Sequence, residues 1–257
     1  MARHDLSPKF WRDGLIVAYL DEPPFGIPAS PGERPAGCDM DLAHHVLGAM
    51  GVTAVRYALT TFPDLIPGLV DGRWHMTTAI FVTDDRAELV DFSRPVWTAA
   101  DGFIVRRGDA ARYTSYEAIA RTPRATLAVV RGQVQRQTAI AAGVPVAHIR
   151  EHADQDAAAA AVRDRRADAS ASTAIGNQAY VRRTGDPGLV AVADQPAAPR
   201  AHVPRGAFAF SKRTPDLAAA VDETLDHYLG TPAHLALMAG YGIAEDDLQP
   251  VLPRRGT

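Results

Sequence analysis

Short apolar runs alternate with amphipathic stretches along this chain, and the alternation restarts near its middle. That pattern predicts an α/β protein with mostly parallel strands, because a strand buried on both faces is followed by a helix that carries the chain back across the sheet. Residues 15–20 form an apolar run bounded by Gly14 and Pro23-Pro24, which suits a buried strand ending in a loop. Over 39–50, Met40, Leu42, Ala43, Val46, Leu47 and Met50 recur at helical spacing, and Gly51 supplies a C-terminal cap. A second helix is predicted over 63–70, ending at Asp71-Gly72, and a strand over 76–82. The second unit repeats the order: a strand over 126–130, a helix over 133–142 stopped by Gly143, an alanine-rich helix over 154–162 and a short strand over 167–171. A last strand, 208–210, precedes helices over 215–229 and 232–239. Linkers are expected at 101–109 and 196–205, so the chain would cross twice between two lobes. Residues 1–103 and 207–257 would then form a discontinuous lobe 1, and 104–206 lobe 2 with the hinge crossings.

Composition removes several classes of function. With 257 residues, 47% of them apolar, the chain can bury the cores of two modest lobes. A formal charge of −3 lacks the basic footprint of a nucleic-acid binder, so no nucleic-acid partner is expected. No apolar run approaches the roughly 18 residues that a spanning helix needs. Cys38 is the single cysteine, which excludes an internal disulfide and any multi-cysteine metal or redox site. His44 and His45 point away from each other on one helix and have no spaced carboxylate or cysteine, so zinc is not expected. GxSxG, P-loop and GxGxxG patterns are absent. Neither metal nor cofactor is expected, and the chain is expected to be a monomer. Its opening string, MARHDLSPKFWRDG, has no long apolar core and no small-residue cleavage site. Location reads two ways: cytoplasmic if Met1 is the native start, extracytoplasmic if the chain is a mature form restarted with Met.

Four segments in fixed order, Glu22-Pro23-Pro24-Phe25-Gly26, Phe62-Pro63-Asp64-Leu65-Ile66-Pro67-Gly68-Leu69, Val82-Thr83-Asp84-Asp85-Arg86 and Val90-Asp91-Phe92-Ser93-Arg94-Pro95, resemble the type II periplasmic solute-binding proteins of amino-acid ABC transporters. Gly132-Gln133-Val134-Gln135, Arg166-Ala167-Asp168-Ala169 and Tyr241-Gly242 agree with that family's later motifs. Gly102-Phe103-Ile104-Val105 and Gly206-Ala207-Phe208-Ala209-Phe210 add a likeness to the branch that binds ectoine and hydroxyectoine. The resemblance implies an α/β, two-lobed, periplasmic-binding-protein-like (type II) fold with a ligand cleft between lobes that closes by hinge motion. It also implies a small zwitterion as ligand and an ABC permease at the membrane as partner.

On that reading Arg86, three residues after Thr83, clamps the ligand carboxylate, since a guanidinium fork matches a carboxylate with two charge-assisted hydrogen bonds. The plainer alternative is a surface arginine paired with Asp84, Asp85 or Glu88. Phe25, Phe62 and Phe81 are candidates for an aromatic box around a diffuse cation, against the alternative of ordinary core packing. Glu22, held by two prolines, can accept from a ligand N–H. In lobe 2 the helix start at Gly132, Gln133, Val134 and Gln135 offers free backbone N–H groups, and Ser170 and Thr173 lie on the following strand. Thr173 stands where amino-acid binders of the family place an aspartate for the ligand ammonium, Phe81 and Val134 replace hydroxyl residues, and Gln135 replaces an acid of the ectoine branch. The carboxylate clamp is kept while the ammonium partners are lost, which favours an ectoine-like zwitterion or a modified amino acid. His75, where the family has an aspartate, is either a base or a structural residue. The rival to a binding protein is a signal-less cytosolic lyase, cyclase or dehydratase on the same fold; a sensor module is a third reading.

Overall fold

The computed structural model describes residues 14–198 and 203–253. The N-terminal string that bears on location, and part of the second expected linker, lie outside the described residues. In chain order the elements are β1 (Leu15–Tyr19), α1 (Cys38–Ala49), β2 (Val55–Leu59), α2 (Leu65–Asp71), β3 (Met76–Phe81), α3 (Asp84–Leu89), β4 (Asp91–Phe92) and β5 (Trp97–Thr98). They continue with β6 (Asp101–Arg106), α4 (Tyr116–Arg121), β7 (Leu127–Val130), α5 (Gln135–Ala141), β8 (Ile149–His152), α6 (Gln155–Arg163), β9 (Ala169–Thr173), α7 (Ala174–Thr184) and β10 (Leu189–Ala193). The chain returns through β11 (Arg205–Phe210), α8 (Pro215–Tyr228), α9 (Pro232–Gly240) and α10 (Glu245–Leu248). Two compact units result, Met1–Thr98 with Pro204–Thr257, and Ala99–Val203. No described helix is long and apolar enough to cross a membrane.

Unit 1 is a sheet ordered β2-β1-β3-β11-β4, with β5 also paired to β11. β1 runs parallel to β2 and β3, whereas β11 is antiparallel to β3, β4 and β5. Unit 2 is ordered β10-β6-β9-β7-β8, with β6 antiparallel to both of its neighbours. The expectation of mostly parallel strands therefore needs correcting at β6 and β11. Each enters its sheet directly after the chain leaves the other unit, not through a crossover helix, so nothing obliges it to run parallel.

Strand β6 also corrects the expected linker at 101–109. Asp101-Gly102 has the composition of a turn, but a Cβ at Gly102 would lie 2.8 Å from the Val192 carbonyl oxygen and 2.9 Å from the Ala174 Cα. The glycine is there for close approach inside a sheet, and Phe103, Ile104 and Val105 behind it are fully buried. The strand expected at 167–171 begins at Ala169 because Asp168 is occupied first: its carboxylate accepts from the Thr126 N–H (2.8 Å) and from Arg106 Nη2 (3.0 Å).

His75 is a structural residue. Its ring Nδ1 accepts from the Ile16 N–H (3.1 Å), its backbone N–H donates to the Ile16 carbonyl (3.0 Å) and its carbonyl accepts from the Ser211 N–H (3.3 Å), which ties the start of β3 to β1. Across α2, the Trp74 indole donates to the Leu65 carbonyl (2.9 Å) and packs with Leu65, Leu69, Ile80 and Val90. A Cβ on Gly68 would fall 1.9 Å from that indole, so Gly68→Ala is expected to destabilise the fold by roughly 1–3 kcal/mol. Gly48→Ala, on the exposed face of α1 with open space around it, should instead stabilise by about 0.5–1 kcal/mol. Urea unfolding of the pair checks this: equal shifts would refute the packing argument.

Candidate functional site

In unit 1 the loop after β1 is closed on itself. The Glu22 N–H donates to the Gly26 carbonyl (3.1 Å), and the Phe25 and Gly26 N–H groups donate back to the Glu22 carbonyl (3.0 and 3.2 Å). Gly26 is required because a Cβ there would lie 2.4 Å from the Leu20 carbonyl oxygen. The loop carbonyls of Pro24 and Phe25 then accept from Cys38 (2.8 Å) and Asp39 (3.2 Å), which seats the loop on the first turn of α1. Gly37, at φ 122°, lets the chain pass, since a Cβ there would meet the Phe25 carbonyl oxygen at 2.3 Å. Phe25 is thereby held inward, while Glu22 is half-buried.

Two residues with no place in the sequence reading stand beside it. Trp97 packs on Phe25, ring centroids 4.8 Å apart, and meets Phe81 nearly edge-on at 5.6 Å. Its indole N–H donates to Asp39 Oδ1 (2.8 Å), and Asp39 Oδ2 accepts from the Ala79 N–H (3.0 Å). Asp39 is fully buried, and burial raises its pKa to about 7, opposed by those two donors and aided by the nearby Glu22 carboxylate. One signal was available for Asp39: it heads the stripe of Ala43 and Val46 on α1, so helical spacing puts a carboxylate on the buried face.

Arg86 follows from the turn between β3 and α3. The Thr83 hydroxyl caps α3 by accepting from the Arg86 N–H (3.3 Å), and the guanidinium turns back so that Nη1 donates to the Phe81 carbonyl (2.7 Å). It stacks 5.3 Å from the centroid of Phe62, whose ring packs on the unit 1 core. Only 8% of Arg86 is exposed, and desolvation lowers its pKa to about 10. The surface reading of this arginine is thus corrected. Thr83, Phe62, Phe81 and Arg86 are joined by contact, and Phe81 reaches Phe25 through Trp97.

In unit 2 the expected residues are turned largely to internal work. Helix α5 begins at Gln135, not at 133, because the Gln133 N–H donates to the Val130 carbonyl (3.1 Å) around Gly132, which sits at φ 84°. Val134 is half-buried. Gln135 is 1% exposed, and its amide donates to Asp101 Oδ1 (2.8 Å), whose other oxygen accepts from the Tyr116 hydroxyl (2.9 Å). Thr173 caps α7 by accepting from the Gly176 N–H (3.1 Å), and Ser170 is buried on β9. Asp101 is not legible in the sequence as the shared acceptor of Gln135 and Tyr116. Their separations in sequence are too long for any local pattern. Among the described residues no group of three or more His, Cys, Asp or Glu is placed to hold a metal.

The sequence model of the bacterial extracellular solute-binding proteins, family 3, matches residues 15–237. The probable amino-acid ABC transporter periplasmic-binding protein y4tE of Sinorhizobium fredii is 30% identical over 245 residues, which is 93% of this chain and 80% of that protein. Among solved structures, EhuB in complex with hydroxyectoine aligns with a TM-score of 0.86 at 24% identity, over 96% of this chain and 95% of its own. The ancestral amino acid-binding protein AncCDT-1, a precursor of cyclohexadienyl dehydratase, aligns with a TM-score of 0.77 at 28% identity, over 92% and 98%. The fold is the two-lobed α/β architecture of periplasmic binding proteins.

Proposed function

The chain belongs to the bacterial extracellular solute-binding proteins of family 3, and from that premise we propose that it captures a small zwitterion outside the cytoplasm for an ABC permease. The carboxylate docks on Arg86, and the cation lies against Phe25 and Phe81 with Glu22 as its acceptor. Phe81 carries this reading. Its carbonyl accepts from the Arg86 guanidinium while its ring belongs to the aromatic group with Trp97 and Phe25, so one residue connects an anion-seeking end to a cation-seeking one. Phe62 and Thr83 support the arginine from either side. In unit 2, Gly132, Gln133, Val134 and Ser170 are the candidate ligand contacts. Gln135 and Thr173 serve first as partners of Asp101 and Gly176.

Thr173 in place of an acid argues against an ordinary α-amino acid, and EhuB, a structural relative, is described in complex with hydroxyectoine. The ligand class is therefore an ectoine-like cyclic zwitterion or an N-alkylated amino acid. Calorimetry is expected to rank ectoine and N-methylated amino acids about tenfold to a hundredfold above glutamate, histidine and lysine, the cost of one lost charged hydrogen bond. Tight binding of a common amino acid would overturn this ligand class. The lyase alternative is not favoured by a match to binding proteins over most of the chain. Mass spectrometry after incubation should recover the ligand unchanged.

A further inference from the structure

Asp39 and Trp97 lie behind the candidate rings and outside every role assigned above. Trp97 is 3% exposed and touches both phenylalanines, so it backs them. A Cβ on Gly206 would lie 2.3 Å from the indole, which makes that glycine the condition for the ring to rest against β11. On its polar edge the indole is fixed by its hydrogen bond to Asp39, itself fixed by the Ala79 N–H. We propose that Asp39 and Trp97 form a specificity-determining pair, in which Trp97 sets the spacing of Phe25 and Phe81 for a delocalised or alkylated cation and Asp39 is the positioning residue that orients the indole and places negative charge behind the cage. The inference rests on the reading of unit 1 as the ligand-binding surface.

A charge behind packed rings acts through a medium of low dielectric, so a cation in the cage feels it more strongly than it would across water. The titratable groups acting on Asp39 are Cys38 beside it and Glu22 in the loop after β1. β3 and β5 carry no titratable side chain, and α8 and α9 bring Tyr228 and His234 into a separate ring cluster with His45 of α1. With its pKa near 7, Asp39 is only partly ionised at neutrality, and an arriving cation completes the ionisation. Binding of a cationic ligand therefore releases a proton and tightens as pH rises through 7.

The test is calorimetry at pH 6 and pH 8 with three probes: ectoine, L-lysine and pyrrolidone carboxylate, a ring carboxylate without a cation. If binding lowers the Asp39 pKa by one unit, wild-type affinity for ectoine rises about fivefold between the two pH values, while that for pyrrolidone carboxylate stays level. Asp39→Asn should remove the pH dependence. Trp97→Phe, which deletes the indole N–H, should cut the preference for ectoine over lysine by about tenfold yet keep pyrrolidone carboxylate binding. Should Asp39→Asn fail to fold, the wild-type pH profile and Trp97→Phe decide the matter. Ectoine binding with a flat wild-type profile, or with the preference intact in Trp97→Phe, overturns the role of the pair alone. Failure of all three probes to bind the wild type overturns the reading of unit 1 and the pair with it.

Discussion

Arg86→Ala is expected to lower the affinity for any carboxylate ligand by roughly 30-fold to several thousandfold, the equivalent of about 2–5 kcal/mol for removing one partner of a desolvated charge pair. The size follows from burial. At 8% exposure the guanidinium has surrendered most of its hydration, which is why its pKa is drawn down to about 10. A carboxylate that reaches it replaces that hydration with two parallel charge-assisted hydrogen bonds. Arg86→Lys should recover only part of the loss, because an ammonium is a compact point charge without the planar fork that grips a carboxylate with two parallel hydrogen bonds while a further N–H holds the Phe81 carbonyl. Stability should not fall in step with affinity, since alanine also removes the cost of burying a cation. Titration calorimetry beside urea unfolding separates the two effects, and an affinity within threefold of wild type would sink the assignment of Arg86.

The second large effect concerns acid. His234 is fully buried, and desolvation holds its pKa at about 4, well below the ordinary 6.5. Its Nδ1 accepts from the Gly230 N–H (3.2 Å), which assigns the proton of the neutral ring to Nε2, and the ring stands edge-on to Tyr228 at 5.6 Å. A folded pKa below the unfolded one means that the fold favours the neutral ring. This contribution is complete above pH 6.5 and is lost as pH falls towards 4, reaching about 3 kcal/mol there. Asp39 works in the opposite sense: its pKa is raised from 3.8 to about 7, so the fold favours its protonated form and gains stability as pH falls through that window. The wild-type curve is a sum of the two, and the informative quantity is the difference between wild type and His234→Asn, which keeps an acceptor for Gly230 without titrating. Urea unfolding at pH 7.5 and pH 4 should show that difference change by about 3 kcal/mol. A constant difference would exclude His234 as an acid-labile point.

Legibility of the fold followed the range of the interactions. The stripe Met40, Leu42, Ala43, Val46 and Leu47 buries as its spacing predicts, Gly72 adopts the left-handed cap after α2, and Thr83 caps the helix that carries Arg86. Each of these depends on neighbours within a few residues. β6 is hidden behind a turn-like Asp101-Gly102 because Gly102 answers to Val192 and Ala174, partners 70 or more residues away. The Gln135 amide is held by Asp101, 34 residues upstream, a partner that no local spacing announces. Hydrophobic period and capping chemistry thus settle where strands and helices lie and which strand–helix turn bears the arginine, because both are governed by the local geometry of the backbone. The pairing of Asp39 with Trp97 spans 58 residues and needs the bare backbone of Gly206 on a strand that returns from the other end of the chain. No local pattern encodes that meeting; it is made by strand order and by where a missing Cβ leaves room for an indole.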